Sequence, residues 1–315
     1  MSKEILITGA TGFIGANLIR HVLLAGDNAH IVLRKGANAW RIKDMLPRAI
    51  THAIDMRNIK DVTRVVRQIN PHRVFHLASY GAYPFQADVA EMVRTDVGGT
   101  YALLQAARTV DRLEAFISAG SSTEYGFKDH PMRETDTLEP NTAYGAAKAS
   151  QTLWSQFFAH AYGLPVVVVR PSLVYGYYEE PTRLIPSAIV AHIRNRPLSL
   201  SSPFPKKDFV FIEDVLDACD ILARNAKTYT GEIFNIASGT EYSVGEVVML
   251  VRRLMKRTIP FEWGGHEGRI WDTDTHWVDD VSKAEKRMKW RAAHSFEEGL
   301  LKTIQWFEKN HTVYP

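Results

Sequence analysis

Three features of the 315-residue sequence combine side-chain types and spacings that can do chemistry. Gly9-Ala-Thr-Gly12-Phe-Ile-Gly15 follows an apolar run and opens an apolar-periodic stretch. In such a turn the first glycine permits a tight bend, the second lets backbone approach a pyrophosphate, and the third lets helix and strand pack closely. Helix N–H groups and the helix dipole then hold the phosphates. The dinucleotide contacts expected from this turn are Gly9, Thr11, Gly12, Phe13, Ile14 and Gly15. Tyr144-Gly-Ala-Ala-Lys148 places a phenol and an ammonium four residues apart, on one helical face. An ammonium beside a phenol favours the phenolate, so the tyrosine can exchange a proton near neutral pH, and the same lysine can hold a ribose. The third feature, Leu33-Arg34-Lys35 at the end of a second strand, lacks the acidic residue that would bond both ribose hydroxyls of NAD. Arg34 can instead make charge-assisted hydrogen bonds to a 2′-phosphate, which favours NADP(H), with NAD(H) as the alternative. Asp55, beside Met56 after a third strand, is placed to meet the adenine edge.

These side chains need a frame, and the hydrophobic pattern supplies one. Short β-branched runs predict strands at Ile5–Thr8, His30–Leu33, Ile50–Ala53, Val74–Ala78, Ala115–Ala119 and Val166–Arg170. Between them the spacing predicts helices over Phe13–Ala25, from an Asn58 cap to Ile69, over Val89–Thr109, and from a Thr142 cap to Tyr162, with Gly26 and Gly163 as stops. Continuous apolar strands alternating with helices predict an α/β, Rossmann-type doubly wound parallel sheet. After Pro171 aromatic and proline-rich segments take over. Helices are expected over Leu184–Asn195, from Asp214, from Ser243 to Lys256 and over Phe296–Lys309, with strands at Phe209–Ile212 and Ile233–Ile236. The expected division is a dinucleotide-binding domain over 1–172, to which 207–240 return, and a smaller mixed α/β substrate domain from 173–206 and 241–315.

Composition narrows the function class. The chain is 45% apolar and 23% charged, which describes an ordinary globular enzyme and excludes disordered or collagen-like chains. Its 38 basic and 35 acidic residues leave a dispersed net charge of +3, so neither nucleic acid nor an acidic membrane is expected as a partner. The single cysteine, Cys219, lies in an apolar-periodic stretch and reads as a buried thiol. No hydrophobic signal segment follows Met1-Ser-Lys-Glu, and the densest apolar run, Val166–Val169, is only strand length. A soluble, cytoplasmic protein is expected. The histidines show no metal-ligand spacing, and His76 reads as a structural residue at the end of a buried strand.

Gly9–Gly15, Phe75-His-Leu-Ala78, Ser121-Ser-Thr-Glu-Tyr125-Gly126 and Tyr144–Lys148 together resemble the extended short-chain dehydrogenase/reductases that act on nucleotide-sugars. Arg170-Pro-Ser-Leu-Val-Tyr-Gly176, Asp208-Phe-Val, Asp280-Val-Ser-Lys-Ala284 and Phe296-Glu-Glu-Gly-Leu300 look like later landmarks of that group, so the resemblance spans nearly the whole chain. It implies a Rossmann domain, a sugar-nucleotide domain, further cofactor contacts at Leu77, Ala78 and Pro171, and hydride chemistry with Tyr144 as acid/base beside Lys148. Ser121 falls where the group keeps its catalytic serine or threonine. Ser122 and Thr123 fall where the 4,6-dehydratases carry an acid and a glutamate base. Hydroxyls cannot readily do both jobs, so 4,6-dehydration is rejected on this reading, with Glu124 lying one residue away. The implied sugar-nucleotide contacts are Tyr80, Ser121, Ser122, Ser172, Lys207 and Arg269. Asp96 and Ser172 stand where asparagine is usual. Lys207 replaces an arginine and offers charge without a bidentate fork, and Arg269 resembles a second diphosphate-binding arginine. The resemblance also implies a homodimer built on the helices at Val89–Thr109 and Thr142–Tyr162.

Three activities fit these residues. An NADP(H)-dependent reductase of a nucleotide-diphosphate 4-keto-(6-deoxy)sugar would take hydride to C4 while Tyr144 protonates the ketone oxygen and Ser121 shares that bond. A nucleotide-sugar 4-epimerase would use the same three residues with retained NAD. A non-catalytic dinucleotide sensor on the same fold would have no need to keep both Tyr144 and Lys148.

Overall fold

The computed structural model describes residues 2–264 and 276–314. In chain order its strands are β1 (Glu4–Thr8), β2 (Asn28–Leu33), β3 (Ile50–Ala53), β4 (Arg73–His76), β5 (Ala115–Ala119), β6 (Val166–Pro171), β7 (Leu173–Tyr175), β8 (Leu198–Leu200), β9 (Lys206–Phe211), β10 (Ile233–Ile236), β11 (Glu241–Ser243) and β12 (Phe261–Trp263). The α-helices are α1 (Phe13–Leu24), α2 (Ile59–Ile69), α3 (Val89–Met92), α4 (Gly99–Ala107), α5 (Ala143–Tyr162), α6 (Leu184–Ile193), α7 (Ile212–Arg224), α8 (Val244–Met255) and α9 (Phe296–Asn310).

Two compact units form. Unit 1 comprises Met1–Gly126, Glu134–Pro171 and Leu216–Asn235; unit 2 comprises Phe127–Arg133, Ser172–Val215 and Ile236–Pro315. Of the 207–240 stretch expected to return to the first domain, 216–235 lie in unit 1 and the rest in unit 2.

Unit 1 carries a seven-stranded sheet of order β10-β6-β5-β4-β1-β2-β3, with β1 pairing in parallel to both β2 and β4. The strand order reverses beside β1, which makes the C-terminal ends of β1 and β4 the crevice where this architecture binds ligands. Val62, Val65 and Val66 of α2, Leu103 of α4 and Phe158 of α5 bury against Leu6, Val74, Phe116 and Val166 of the sheet. Asn58 caps α2 by accepting the Lys60 and Asp61 N–H groups, and Thr142 caps α5 by accepting that of Gly145. Gly163, at φ 68°, stops α5. Cys219 on α7 is buried, and burial pushes its thiol up to about 12.

Two elements of unit 1 differ from expectation through partners distant in sequence, and β9 covers Lys206–Phe211 rather than Phe209–Ile212, with Ile212 opening α7. β4 ends at His76 rather than Ala78, because the Ala78 N–H donates to the Thr8 hydroxyl (3.2 Å) and leaves the ladder. The helix expected over Val89–Thr109 is interrupted by a π-helical turn at Val93–Gly98. Asp96 within this turn gives its carbonyl to the Thr100 hydroxyl and its carboxylate to the segment after β4. π-turns of this kind mark functional positions more often than chance.

Unit 2 holds a three-stranded sheet, β11-β9-β7, a two-stranded sheet, β12-β8, and the mutually packed helices α6, α8 and α9. Tyr175, Phe209, Phe211 and Phe296 interlock at ring-centroid separations of 5.3–6.4 Å to form its aromatic core. No helix among the described residues is long and apolar enough to cross a membrane.

Because Phe158 anchors α5 with 1% of its surface exposed, Phe158→Ala is expected to lower stability by about 3–5 kcal/mol, read from urea unfolding of the two proteins.

Candidate active site

The glycine turn is built by close approach. A side chain at Gly9, whose φ is +71°, would place Cβ 2.5 Å from the Leu77 carbonyl carbon and 2.6 Å from the Ala78 nitrogen. One at Gly15 would fall 2.2 Å from the Gly9 oxygen. Glycine at both positions therefore brings the β1 turn, the start of α1 and the Leu77–Ala78 segment together. Gly12 is the N-cap of α1 and makes no side-chain cap bond to the first helical N–H groups, as a phosphate site would need. Phe13 and Gly15 are buried, and Thr11 and Ile14 flank the turn. This cradle fits a dinucleotide.

Arg34 is exposed just past β2. Asp55 follows β3, and Arg57 occupies its carboxylate through Nε at 2.9 and 3.0 Å. These bonds hold the Asp55 carboxyl below the ordinary aspartate range. Arg57 also bonds both Glu91 carboxylate oxygens at 2.9 Å. Met56 packs against the α2–α4 core, with its Cβ facing Gly99. Sequence reasoning missed Arg41, which is 7% exposed and stacks its guanidinium on Trp40 at 4.4 Å. Its Nη1 reaches the Thr11 carbonyl at 3.5 Å, so a second cation lies against the glycine turn. The signal available was its place seven residues after Arg34 at the end of strand two.

The Ser121–Glu124 turn is a capping box. Ser121 Oγ accepts the Thr123 N–H at 3.2 Å and the Thr123 hydroxyl at 2.8 Å, while Glu124 Oε1 accepts the Ser121 N–H at 2.8 Å. With two acceptor positions filled, the Ser121 hydroxyl is left to act as a donor. Ser122 is buried. Glu124 is fully buried, and its Oε2 takes Arg170 Nε and Nη2, each at 2.8 Å. Arg170 in turn lies over the Tyr125 ring at 4.6 Å. A Cβ at Gly120 would sit 2.4 Å from Glu124 Oε1, so only glycine leaves room for this pair.

Gly145 brings α5 onto the same turn, since its Cβ position lies 2.6 Å from the Thr123 carbonyl. Tyr144, half-buried, precedes Gly145 on the first turn of α5. Lys148 is buried one helical turn on; Nζ donates to the Ala119 carbonyl and to Gln151 Oε1 (2.7 Å). Burial depresses the Lys148 ammonium, while Asp96 and Glu124 pull it back up. Beneath them His76, buried and held to about 3 by that burial, bonds Thr8 at 2.7 Å and Thr100 at 2.8 Å. Tyr80 follows this strand, with its N–H on Asp96 Oδ1 at 2.7 Å. Pro171 ends β6.

Two of the expected sugar-nucleotide residues lie in unit 2. Ser172 is buried, with its hydroxyl on the Asp208 carbonyl at 3.0 Å, and Lys207 lies over the Trp277 ring at 5.0 Å. Asp208 itself accepts the Ser238 N–H and hydroxyl and the Gly239 N–H, and burial pushes its carboxyl up to about 6. Arg269 lies outside the described residues.

Residues 5–237 match the family described as the NAD dependent epimerase/dehydratase family. The chain is 29% identical to a dTDP-glucose 4,6-dehydratase of Neisseria meningitidis, over 98% of this chain and 94% of the relative. Among solved structures it resembles an epimerase from Methanothermobacter thermautotrophicus, with a TM-score of 0.88, 26% identity and coverage of 99% and 94%. It also resembles a dTDP-glucose 4,6-dehydratase from Bacillus anthracis in complex with NAD, with a TM-score of 0.84, 25% identity and 98% coverage of each chain.

Removing one partner of the buried Glu124–Arg170 pair strands the other charge. Arg170→Met is expected to cost about 3–5 kcal/mol, and Glu124→Gln combined with it less than the two single losses summed, as read from urea unfolding of the three variants.

Proposed function

The chain belongs to the NAD-dependent epimerase/dehydratase family, as an enzyme of the extended short-chain dehydrogenase/reductase type, and from that premise we propose that it reduces a nucleotide-diphosphate 4-keto-(6-deoxy)sugar with NADP(H). The observation that carries this reading is the Ser121–Glu124 turn. Elimination of water needs an acid and a base at the sugar, yet this turn offers hydroxyls at 121, 122 and 123, and its one carboxylate is buried against Arg170. The chemistry left to these residues is hydride exchange at a carbinol carbon with proton transfer at its oxygen.

A bound dinucleotide would supply the hydride. Gly9, Thr11, Gly12, Phe13, Ile14 and Gly15 would hold its pyrophosphate, Leu77, Ala78 and Pro171 would line its nicotinamide end, and Asp55 and Met56 its adenine end. Arg34 would pair with a 2′-phosphate, since no acid follows β2, with Arg41 as a second cation on that side. Lys148 spends two of its three donors on Ala119 and Gln151, leaving one for the ribose and for lowering the Tyr144 phenol. Ser121, as donor, would share the carbonyl oxygen to which Tyr144 gives its proton. Tyr80, Ser122, Ser172, Lys207 and Arg269 would hold the sugar and its diphosphate.

The same three central residues serve a 4-epimerase, and the resemblance to an epimerase favours that second reading. We also propose that the chain pairs with a second copy through α5. Leu153, Trp154 and Phe157 expose 60%, 37% and 46% of their surface on one face of that helix.

Three measurements test this. The dinucleotide released from purified protein is identified and the emptied protein titrated with NADPH and NADH: preference for NADPH, weakened by about tenfold or more in Arg34→Asp, supports the reductase. Tightly retained NAD with no preference supports the epimerase. Tyr144→Phe is expected to bind the dinucleotide within about twofold of wild type and to lose turnover by several orders of magnitude in single-turnover assays of 4-keto-sugar nucleotides. Trp154→Glu with Phe157→Glu is expected to give a monomer by light scattering, where the wild type runs as a dimer.

A further inference from the structure

Arg73, at the start of β4, is a cation whose donors the fold leaves unused. Its side chain is only 12% exposed, and its Nε is buried with no hydrogen-bond partner. The carboxylates it pairs with stand beyond hydrogen-bond reach, Glu114 Oε2 at 3.7 Å from Nε and Asp220 Oδ1 at 3.6 Å from Nη1. Both acids are committed to other cations, Glu114 to Lys3 and Asp220 to Arg224. Guanidinium donors taken from water and given no acceptor are costly, so a side chain held in this way is matched to an acceptor from outside the chain.

Such an acceptor has room beside it. Arg73 lines a cavity of about 460 Å³ formed by β1, β4, α1 and α7, all from segments of unit 1. Ile5 and Arg73 are register partners near the starts of β1 and β4, so the cavity lies at the edge of the sheet opposite the glycine turn and Leu77. Ile5, Leu18, Val22, Phe75 and Leu216 give it an apolar wall, and Leu24, 83% exposed, an apolar rim. Its charged lining is mixed, with Lys3, Arg73 and Arg224 beside Asp27 and Asp220. Two carboxylates in the wall would repel a dianion such as a phosphate monoester, whereas one planar carboxylate matches the guanidinium fork. The apolar wall calls for a hydrocarbon body behind that head. We propose that this cavity is a second ligand site, which takes a small organic monocarboxylate with its head on Arg73 and its hydrocarbon body against Ile5, Val22 and Leu216. The inference is independent of which cofactor, sugar and reaction the crevice serves.

The probe is octanoate, titrated into protein labelled with 13C at its leucine and valine methyl groups and followed by NMR. The Leu18, Val22, Leu24 and Leu216 methyls are expected to shift together and saturate. Octan-1-ol, which keeps the hydrocarbon and lacks the charge, is expected to bind at least about tenfold more weakly, and Arg73→Met to weaken octanoate by a similar factor. Shifts that do not saturate, or that gather at Leu77 in the crevice and spare these four residues, overturn the proposal. So does an Arg73→Met protein that binds octanoate as the wild type does, since Arg73 would then serve only Glu114 and Asp220. Should Arg73→Met not fold, Leu24→Glu sets a like charge at the exposed rim. It is expected to weaken octanoate by about threefold or more at low ionic strength, and unchanged affinity overturns the site.

Discussion

Burying Lys148 is the constraint around which unit 1 is arranged. An ammonium at 2% exposure needs acceptors, and the fold supplies them from a strand and a helix. The Ala119 carbonyl comes from the end of β5 and Gln151 from the same helix. Ser118 and Ser155 steady that glutamine from below, at 3.1 Å and through a 2.9 Å serine–serine bond. Asp96, in the π-turn, is buried with its carboxylate on the Ser79 hydroxyl and the Tyr80 N–H. Strand and helix thus answer one electrostatic demand, one turn beyond Tyr144 on α5.

Much of this was readable in the sequence where the governing physics is local. The glycine spacing encodes steric clearances of a few ångströms within one turn, and the structure shows them at Gly9 and Gly15. Asn58 and Thr142 announce helix starts because their side chains satisfy N–H groups two or three residues ahead. The break in Val89–Thr109 and the early end of β4 were not readable. Each depends on partners far along the chain: Asp96 on Tyr80, and Ala78 on Thr8 across 70 residues. The fate of Glu124 was equally hidden. One residue from a catalytic-looking position, it is decided by Arg170, 46 residues later. Arg41 escaped notice because nothing in a basic loop marks which guanidinium folds back onto the glycine turn.

The contrast between kinship and chemistry follows from the same residues. The relative at 29% identity carries a dehydratase name, and a shared architecture does not by itself fix the reaction. What separates reactions in such a scaffold is a handful of groups at one short turn. Here that turn holds hydroxyls at 121, 122 and 123, and its carboxylate is buried against Arg170.

The tight fit at Gly120 ties three distant positions into one evolutionary unit. Position 120 cannot enlarge while the carboxylate of residue 124 occupies the space a Cβ would need, and residue 124 cannot lose its charge without stranding Arg170. Substitutions at 120, 124 and 170 are therefore expected to travel together among descendants of this chain. A lineage that replaced Arg170 would release Glu124 from its partner and open the way for a carboxylate to turn toward the neighbouring hydroxyls. New chemistry would then begin with a change at a residue that never meets the sugar.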